Sequence, residues 1–289
     1  MLVGLLRTIR PHQWVKNLFV LAPLVFAKEL LHVPTTLRAL AGFALFCLAS
    51  SAVYILNDLT DVLVDRAHPV KCRRPIASGA VPERAARIAA AALAIVAVAG
   101  GLSLNPLFSA AIVGYLVLNL AYSVRLKRIA YVDVMCITTG FELRVLGGAA
   151  AALVHPSLYL VVITFLLATF LGFGKRMHEL MQGEQGRKQR SVLQAYDERT
   201  LTGLLYLMAT ATVATYVVYT LDPSTREAFG TDYLAVTAPM PLFGVLRFLH
   251  LVRRRHVAES PTEDMLRDRM FLANLGLWTV SVVLVIYLG

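Results

Sequence analysis

Long apolar stretches alternate with short polar ones along almost the whole chain. Each stretch approaches the length of about 20 residues that an α-helix needs to cross the hydrocarbon core of a bilayer. Nine such windows lie at about 15–33, 37–57, 85–104, 106–124, 129–152, 157–174, 201–220, 232–251 and 270–288. The pattern predicts an all-α polytopic membrane protein with nine transmembrane helices. No linker is long enough to divide the chain, so we expect one transmembrane domain over residues 1–289.

Composition agrees with this pattern, and the distribution of charge adds an orientation. The 289 residues are 57% hydrophobic and 16% charged, with a mean hydropathy of +0.65, outside the range of soluble globular domains. Lys and Arg are concentrated at the amino-terminal end and after the second, fourth, sixth and eighth windows, whereas the opposite loops hold only Lys28, Arg38 and Arg226. The positive-inside rule then predicts a cytoplasmic amino terminus and an external carboxyl terminus.

The same rule accounts for most of the net charge of +10. We therefore expect no nucleic-acid partner, and anionic lipid or phosphorylated substrates explain the remaining charge better. Three predicted cytoplasmic loops, at about 58–84, 175–200 and 252–269, are longer than the other connections. Long polar connections in a compact bundle are usually functional, which favours an active site on the cytoplasmic side.

The densest charge in the chain lies where the second apolar window ends. Asn57, Asp58, Asp61 and Asp65 follow one another there, and at about 100° per residue the three carboxylates would project from one narrow helix face. Such a face repels itself without a cation, and oxygen ligands with room for water and phosphate suit Mg²⁺. We expect all four residues to bind Mg²⁺ and the three aspartates to be catalytic. A solvated acidic helix end is the alternative.

Basic residues follow this acidic segment within the same loop. Lys71, Arg73 and Arg74 precede the turn-rich pair Ser78-Gly79. Guanidinium groups bind the outer oxygens of a phosphate whose bridging oxygens a metal neutralises. The segment therefore predicts a site for a Mg²⁺-diphosphate complex, although topology signalling alone would also explain the arginines.

Ionisable residues also interrupt the fifth window. Because an ionisable group costs about 2.5–3.5 kcal/mol at the centre of a membrane helix, Glu142 and Arg144 are predicted to face a central cavity as catalytic residues. Asp133 lies on the same helix face as Arg144, and a buried charge pair that only joins helices is the alternative. Further substrate-binding candidates are the polar residues Lys16, Asn17, Asn57, Tyr122, Arg125, Lys127, Lys175, Arg176 and Glu179. An i,i+4 salt bridge between Lys175 and Glu179 would explain those two without substrate.

The acidic segment resembles a known family. Asn57-Asp58-x-x-Asp61-x-x-x-Asp65, with Arg74-Pro75-Ile76-Ala77-Ser78-Gly79 beyond it, looks like the first signature of the UbiA-type intramembrane prenyltransferase superfamily. The segment Arg10-Pro11-His12-Gln13-Trp14-Val15-Lys16-Asn17 is similar to the entrance of the first helix in one branch. The resemblance implies a nine-helix transmembrane bundle with a cytoplasmic cap over a central cavity, which is open to the cytoplasm and sideways to lipid.

The chain departs from most of that superfamily in its second motif. An Asp-x-x-x-Asp motif usually follows helix six, whereas here the segment Gly174-Lys175-Arg176-Met177-His178-Glu179-Leu180 precedes the basic run Arg187-Lys188-Gln189-Arg190-Ser191. One aspartate motif facing a basic loop suits a donor with an additional phosphate away from the metal. This pattern, together with Glu259-Ser260-Pro261-Thr262 and Asp268-Arg269, is similar to the decaprenyl-phosphate phosphoribosyltransferase branch.

That branch implies a specific reaction in the bacterial inner membrane. The enzyme would transfer 5-phosphoribose from 5-phosphoribosyl 1-diphosphate to a polyprenyl phosphate such as decaprenyl phosphate, with Mg²⁺ as cofactor, for cell-wall arabinan synthesis. A homo-oligomer is compatible with the sequence and is not fixed by it. Two alternatives stay open: an aromatic prenyltransferase with an isoprenyl diphosphate donor, and a transporter of phosphorylated lipids or anions. The internal repeats and broken helices expected of a transporter are not visible in the sequence.

Overall fold

Long membrane helices dominate the computed structural model, which describes residues 2–181, 191–253 and 261–289. Within these ranges the chain forms α-helices and short 3₁₀-helices and no β-strand. Eight helices of the described part are long and apolar enough to cross a membrane: Val33–Thr60, Glu83–Leu104, Pro106–Val124, Val132–Ala152, Leu158–Met181, Glu198–Leu221, Tyr233–Arg253 and Arg269–Leu288. The predicted all-α polytopic membrane protein is confirmed.

Shorter helical segments precede the long helices or connect them. The short α-helices are Leu2–Thr8, Ala22–Phe26, Val62–Ala67, Pro223–Phe229 and Pro261–Arg267. The 3₁₀-helices are Pro11–Val20, Lys71–Arg73, Leu126–Arg128, Ser191–Ala195 and Tyr233–Thr237, the last of which leads into the α-helix Pro239–Arg253.

The first apolar window differs from its prediction. The continuous helix expected over 15–33 was wrong, because the chain there forms the 3₁₀-helix Pro11–Val20 and then the short α-helix Ala22–Phe26. Pro23, at the start of the second segment, lacks the backbone donor that a continuous α-helix over this window would need. Asn17, inside the first segment, is completely buried and donates to Ser50 Oγ at 3.0 Å. This buried polar contact fixes the segment against the helix Val33–Thr60 in a conformation that hydropathy alone does not indicate.

The sixth window also ends later than predicted. The helix Leu158–Met181 continues beyond residue 174, so Lys175, Arg176 and Glu179 lie on a helix and not in a loop. Met177 and Leu180 are buried in the hydrophobic core beside it, and their packing stabilises the additional turns.

Two compact units divide the chain. Unit 1 comprises residues 1–127 and 140–156, and unit 2 comprises residues 128–139 and 157–289. The core of unit 1 contains Phe46, Phe108 and Tyr115, and the core of unit 2 contains Phe170 and Phe248, whose ring centroids are 4.9 Å apart. The single catalytic domain stays a prediction.

Arg38 is one of the few basic residues on the predicted external side, and its contacts explain its position there. Its Nε donates to the carbonyl of Ala151 at 3.0 Å, and its Nη2 donates to the carbonyl of Leu104 at 2.5 Å. The final carbonyls of a helix have no partner within that helix and carry partial negative charge. Arg38 therefore stabilises the ends of Glu83–Leu104 and Val132–Ala152 together.

Gly148 is required where the helix Val132–Ala152 passes the 3₁₀-helix. A Cβ atom at this position would collide with the backbone carbonyl of Val20. We expect Gly148→Ala to lower the free energy of unfolding by about 1–3 kcal/mol, because the two backbones must separate. Denaturation of the purified protein in mixed micelles measures this change.

Gly203→Ala is the matched control for Gly148→Ala. Nothing lies within 4 Å of a Cβ built at Gly203, which is also helical. Alanine is the better helix former by roughly 0.5–1 kcal/mol, so this variant should unfold no more easily than the parent. Equal effects of the two substitutions would contradict the close approach.

Candidate functional site

The acidic segment lies where the helix Val33–Thr60 ends. Asp61 leaves the helix with φ −95° and ψ 4°, and the short helix Val62–Ala67 follows it. Asp58 and Asp65 are each only 3% exposed, whereas the Asp61 side chain is 41% exposed. The helix break therefore separates the three aspartates into two buried carboxylates and one accessible carboxylate.

Each of these carboxylates is paired with a basic group of unit 1. Arg10 Nη2 lies 2.6 Å from Asp58 Oδ1. Arg74 Nη1 contacts Asp58 Oδ1 at 3.4 Å and Asp65 Oδ2 at 2.8 Å. The sequence finds Asp61 and Lys127 separately, and the structure joins them, with Nζ 2.9 Å from Oδ1. The aspartate cluster, defined by Asp58, Asp61, Asp65, Arg10, Arg74 and Lys127, thus contains as many positive as negative side chains.

The aspartate cluster has the donor chemistry that a hard divalent cation requires. Over the described ranges, no group of three or more His, Cys, Asp or Glu side chains converges into a ready-made metal cage. Asp58 and Asp65 nevertheless both contact the same nitrogen of Arg74. Mg²⁺ usually takes one or two protein carboxylates and keeps water and phosphate as further ligands. The residues therefore fit a Mg²⁺ that arrives with a phosphorylated ligand.

Asn57 contacts a neighbouring helix. Its side-chain oxygen accepts a hydrogen bond from Ser123 Oγ, near the end of Pro106–Val124, so its role as a metal ligand stays a prediction. The other predicted binding residues of this region are half-buried (Lys71, Tyr122) or exposed (Arg73, Arg125). Their roles in substrate binding stay predictions.

Arg144 lies in a buried polar network of unit 1. It is 5% exposed, and its Nε donates to Asn17 Oδ1 at 2.8 Å while its Nη2 donates to the Tyr115 hydroxyl at 3.0 Å. Its guanidinium also lies 4.7 to 5.4 Å from the ring centroids of Phe46, Tyr115 and Phe141. Among the described residues these partners are neutral, and the catalytic role of Arg144 stays a prediction. Arg144 and Asn17 fix the 3₁₀-helix that carries Lys16.

Glu142 differs from the other acidic residues of unit 1. Both of its carboxylate oxygens are buried, and neither has a hydrogen-bond partner among the residues that the structure describes. A buried carboxylate without a partner is costly. Glu142 therefore remains a candidate for binding a ligand group.

Unit 2 has its own buried ion network. Arg176 is completely buried, with Nε 2.8 Å from Asp133 Oδ2 and Nη1 paired with Glu179. The Tyr196 hydroxyl donates to Asp133 Oδ1 at 2.5 Å and accepts from the Tyr131 backbone N–H at 2.8 Å. Burial, and then the hydrogen bond to Asp133, raise the pKa of Tyr196, so this phenol stays a donor at physiological pH.

This network changes the interpretation of Arg176. A guanidinium without solvent exposure and with two carboxylate partners is not presented to a phosphate in this structure. Arg176 instead joins the helix Leu158–Met181 to the first turn of Val132–Ala152. Lys175 and Glu179 are half-buried on the same helix, and their roles toward substrate stay predictions.

The remaining branch motifs are described only in part. The basic run 187–190 and the pair Glu259-Ser260 lie outside the described residues. Asp268 is described: it caps the helix Arg269–Leu288 by accepting from the Phe271 N–H at 2.8 Å, and it pairs with Arg247 at 2.6 Å. These contacts stabilise unit 2 without any ligand.

Sequence reasoning missed two residues at the aspartate cluster. Arg10 counted only as part of a motif, yet it binds Asp58 and its guanidinium lies 5.3 Å from the centroid of the Tyr54 ring. Tyr54 precedes Asp58 by four residues, so helical spacing could have placed it on the same face. No local signal connects Arg10 to an aspartate 48 residues away.

The fold also occurs in proteins of known structure. A UbiA homologue from Archaeoglobus fulgidus, solved with GPP and Mg²⁺ bound, matches with a TM-score of 0.71 at 18% identity, covering 98% of this chain and 97% of that chain. At that identity the match establishes the architecture alone. Fold and charged cluster together define a polytopic membrane protein with the architecture of intramembrane prenyltransferases.

Relatives in sequence agree with this class. A model of the UbiA prenyltransferase family matches residues 18–275, and the chain belongs to that family. A decaprenyl-phosphate phosphoribosyltransferase from Mycolicibacterium smegmatis is 33% identical over 288 residues, covering 94% of this chain and 90% of that protein. A protein of the same name from Mycobacterium tuberculosis is 32% identical over 287 residues, covering 98% of this chain and 94% of that protein. The predicted family is confirmed, while its nine-helix count, cap and central cavity stay predictions.

Proposed function

We propose that this protein transfers 5-phosphoribose from 5-phosphoribosyl 1-diphosphate to a polyprenyl phosphate and releases diphosphate. The observation that carries the proposal is the aspartate cluster, in which three carboxylates and three basic groups meet at the end of a membrane helix. That composition suits a diphosphate leaving group with a divalent cation. The similar proteins named decaprenyl-phosphate phosphoribosyltransferase support ribosyl rather than isoprenyl transfer.

The chemistry required of the protein is mainly electrostatic. As the bond from C1 of the ribose to the diphosphate breaks, C1 gains oxocarbenium character and the leaving group gains negative charge. Arg10, Arg74 and Lys127 would stabilise that charge, because preorganised donors at a developing anion usually contribute the largest catalytic term. Mg²⁺, when bound by Asp58, Asp61 and Asp65, supplies Lewis-acid stabilisation of the same leaving group.

The acceptor needs little activation. A phosphate monoester is largely anionic at pH 7, so its oxygen can attack C1 without a strong general base. Glu142 is a candidate for orienting ribose hydroxyls, since its oxygens are buried without a described partner. Half-buried or exposed basic residues are candidates for the separate 5-phosphate: Lys16, Lys71, Arg73, Arg125 and Lys175. Asn17 and Arg144 act as positioning residues in this scheme, because they fix the 3₁₀-helix that carries Lys16.

The proposal includes a location for the site. The basic bias of alternate loops supports a cytoplasmic amino terminus and active site in the bacterial inner membrane, with the carboxyl terminus external. The proposal also includes dependence on Mg²⁺ and 5-phosphoribosyl 1-diphosphate as the donor. It is compatible with a homo-oligomer.

Label transfer tests the donor directly. Membranes that contain the protein should move label from 5-phosphoribosyl 1-diphosphate into a lipid product when decaprenyl phosphate and Mg²⁺ are present, and chelation of the metal should stop the transfer. Membranes from the same host without the protein are the control. Transfer of label only from an isoprenyl diphosphate would overturn the proposal in favour of an aromatic prenyltransferase.

A further inference from the structure

Arg10 and Arg74 form ion pairs with the carboxylates that would bind the proposed metal. Asp58 and Asp65 are both 3% exposed, and the two guanidinium groups contact them at 2.6, 2.8 and 3.4 Å. We propose that these arginines are exchangeable counter-cations, which bind the carboxylates in the free enzyme and the diphosphate when the metal arrives. The inference rests on the proposed function only in taking this cluster as the metal-diphosphate site.

The balance of charge leads to this inference. Three carboxylates pair with three basic groups in the aspartate cluster, so the charges of these six side chains offset one another. A divalent cation that enters alone adds two positive charges beside the half-buried guanidinium groups, where the interaction between charges is stronger than in water. A diphosphate that enters with the cation restores the balance and offers the arginines new acceptors. Metal and diphosphate should therefore bind cooperatively.

Arg10 is the arginine whose position suits this exchange best. Its backbone lies in the left-handed region, with φ 50° and ψ 64°, directly before the 3₁₀-helix Pro11–Val20. A non-glycine residue held in that region is strained, and such strain clusters at binding sites. The guanidinium lies 5.3 Å from the centroid of the Tyr54 ring. The ring offers a surface along which the cation can move from Asp58 toward a ligand while keeping a favourable contact.

The exchange predicts effects of opposite sign from one substitution. Arg10→Asn removes the charge, and asparagine tolerates the left-handed backbone better than most residues. Without Arg10, Mn²⁺ alone should bind at least about fivefold more tightly, because a repelling charge is lost. Radiolabelled inorganic pyrophosphate in the presence of Mn²⁺ should bind at least about fivefold more weakly, because a phosphate donor is lost.

Two binding measurements on the full-length protein in nanodiscs test this. Loss of the free-ion EPR signal reports Mn²⁺ binding, and equilibrium dialysis with and without Mn²⁺ reports pyrophosphate binding. Arg7→Asn is the matched control, since Arg7 is exposed three residues earlier on the helix Leu2–Thr8, and it should change neither affinity. Arg74→Gln is a second test variant and should show the same pair of opposite shifts.

The outcomes are distinct. If Arg10→Asn binds both Mn²⁺ and pyrophosphate more weakly, Arg10 has only a structural role. If neither affinity changes, Arg10 has no role in binding. Either result overturns the proposed exchange of counter-cations. Equal affinity of the parent protein for pyrophosphate with and without Mn²⁺ would also overturn it. None of these results depends on which donor the enzyme uses, so the binding data and the label-transfer assay can fail independently.

Discussion

Replacement of Asp61 by asparagine is expected to lower phosphoribosyl transfer by about 100-fold or more, since one charged ligand of the leaving-group site is lost. Asp61 is the best aspartate for this test. Its side chain is 41% exposed and its ion-pair partner is Lys127, so the substitution should cost the fold little. The same change at Asp58 or Asp65 would remove a buried carboxylate that an arginine contacts, and it would mix stability with catalysis.

Initial rates of label transfer, normalised to the amount of protein in the membrane, measure the effect of Asp61→Asn. Glu83→Gln is the matched control, because Glu83 is also a carboxylate in an ion pair, 3.2 Å from Arg66 and partly exposed. It should keep its rate within about twofold, as expected for a surface pair. An Asp61→Asn variant with the parental rate and the parental response to Mg²⁺ would argue strongly against the metal assignment.

Arg176→Met is expected to lower the free energy of unfolding by about 3–5 kcal/mol, the usual cost of removing one partner from a buried ion pair. Arg176 has no solvent exposure, and its loss leaves Asp133 and Glu179 without their shared cation. Methionine fills similar space, so the effect reports charge more than volume. Denaturant titration in mixed micelles, followed by circular dichroism, measures the change.

The result distinguishes an anchor from a phosphate clamp. Arg253→Met is the control: Arg253 is exposed and contacts Tyr206, and its loss should cost about 1 kcal/mol or less. Unchanged stability of Arg176→Met with a raised KM for 5-phosphoribosyl 1-diphosphate would return Arg176 to the group of direct phosphate ligands.

Most membrane helices follow from the sequence because the bilayer imposes a simple rule. Apolar runs of spanning length must be helical when no water is present to satisfy the backbone, and the window 106–124 coincides with the helix Pro106–Val124. The rule fails at 15–33, where the buried Asn17 and Pro23 impose local geometry. It also does not fix the end of Leu158–Met181, where packing and ion pairs extend a helix past its apolar part.

The candidate site likewise contains residues that the sequence identifies and contacts that it does not. The aspartates could be found because they lie within nine residues of one another, and the metal chemistry of such a group is general. Arg74 could be found as well, because it follows Asp65 in the same loop. Arg10 and Lys127 lie 48 and 66 residues from their aspartates, and sequence spacing carries no information on contacts at that range. The burial of Arg144, predicted as catalytic, and of Arg176, predicted to bind substrate, likewise depends on tertiary packing.

The proposed orientation of the two ends depends on whether the 3₁₀-helix Pro11–Val20 helps to cross the bilayer. Its ten residues rise about 2.0 Å each, and the five residues of Ala22–Phe26 rise about 1.5 Å each. Placed end to end, the two segments would reach nearly the bilayer core thickness of about 30 Å. If this tighter winding carries the chain across, the parity of the crossings is odd. The amino-terminal segment and the end of the helix Arg269–Leu288 then face opposite compartments, and a count limited to full-length α-helices would put them in the same one.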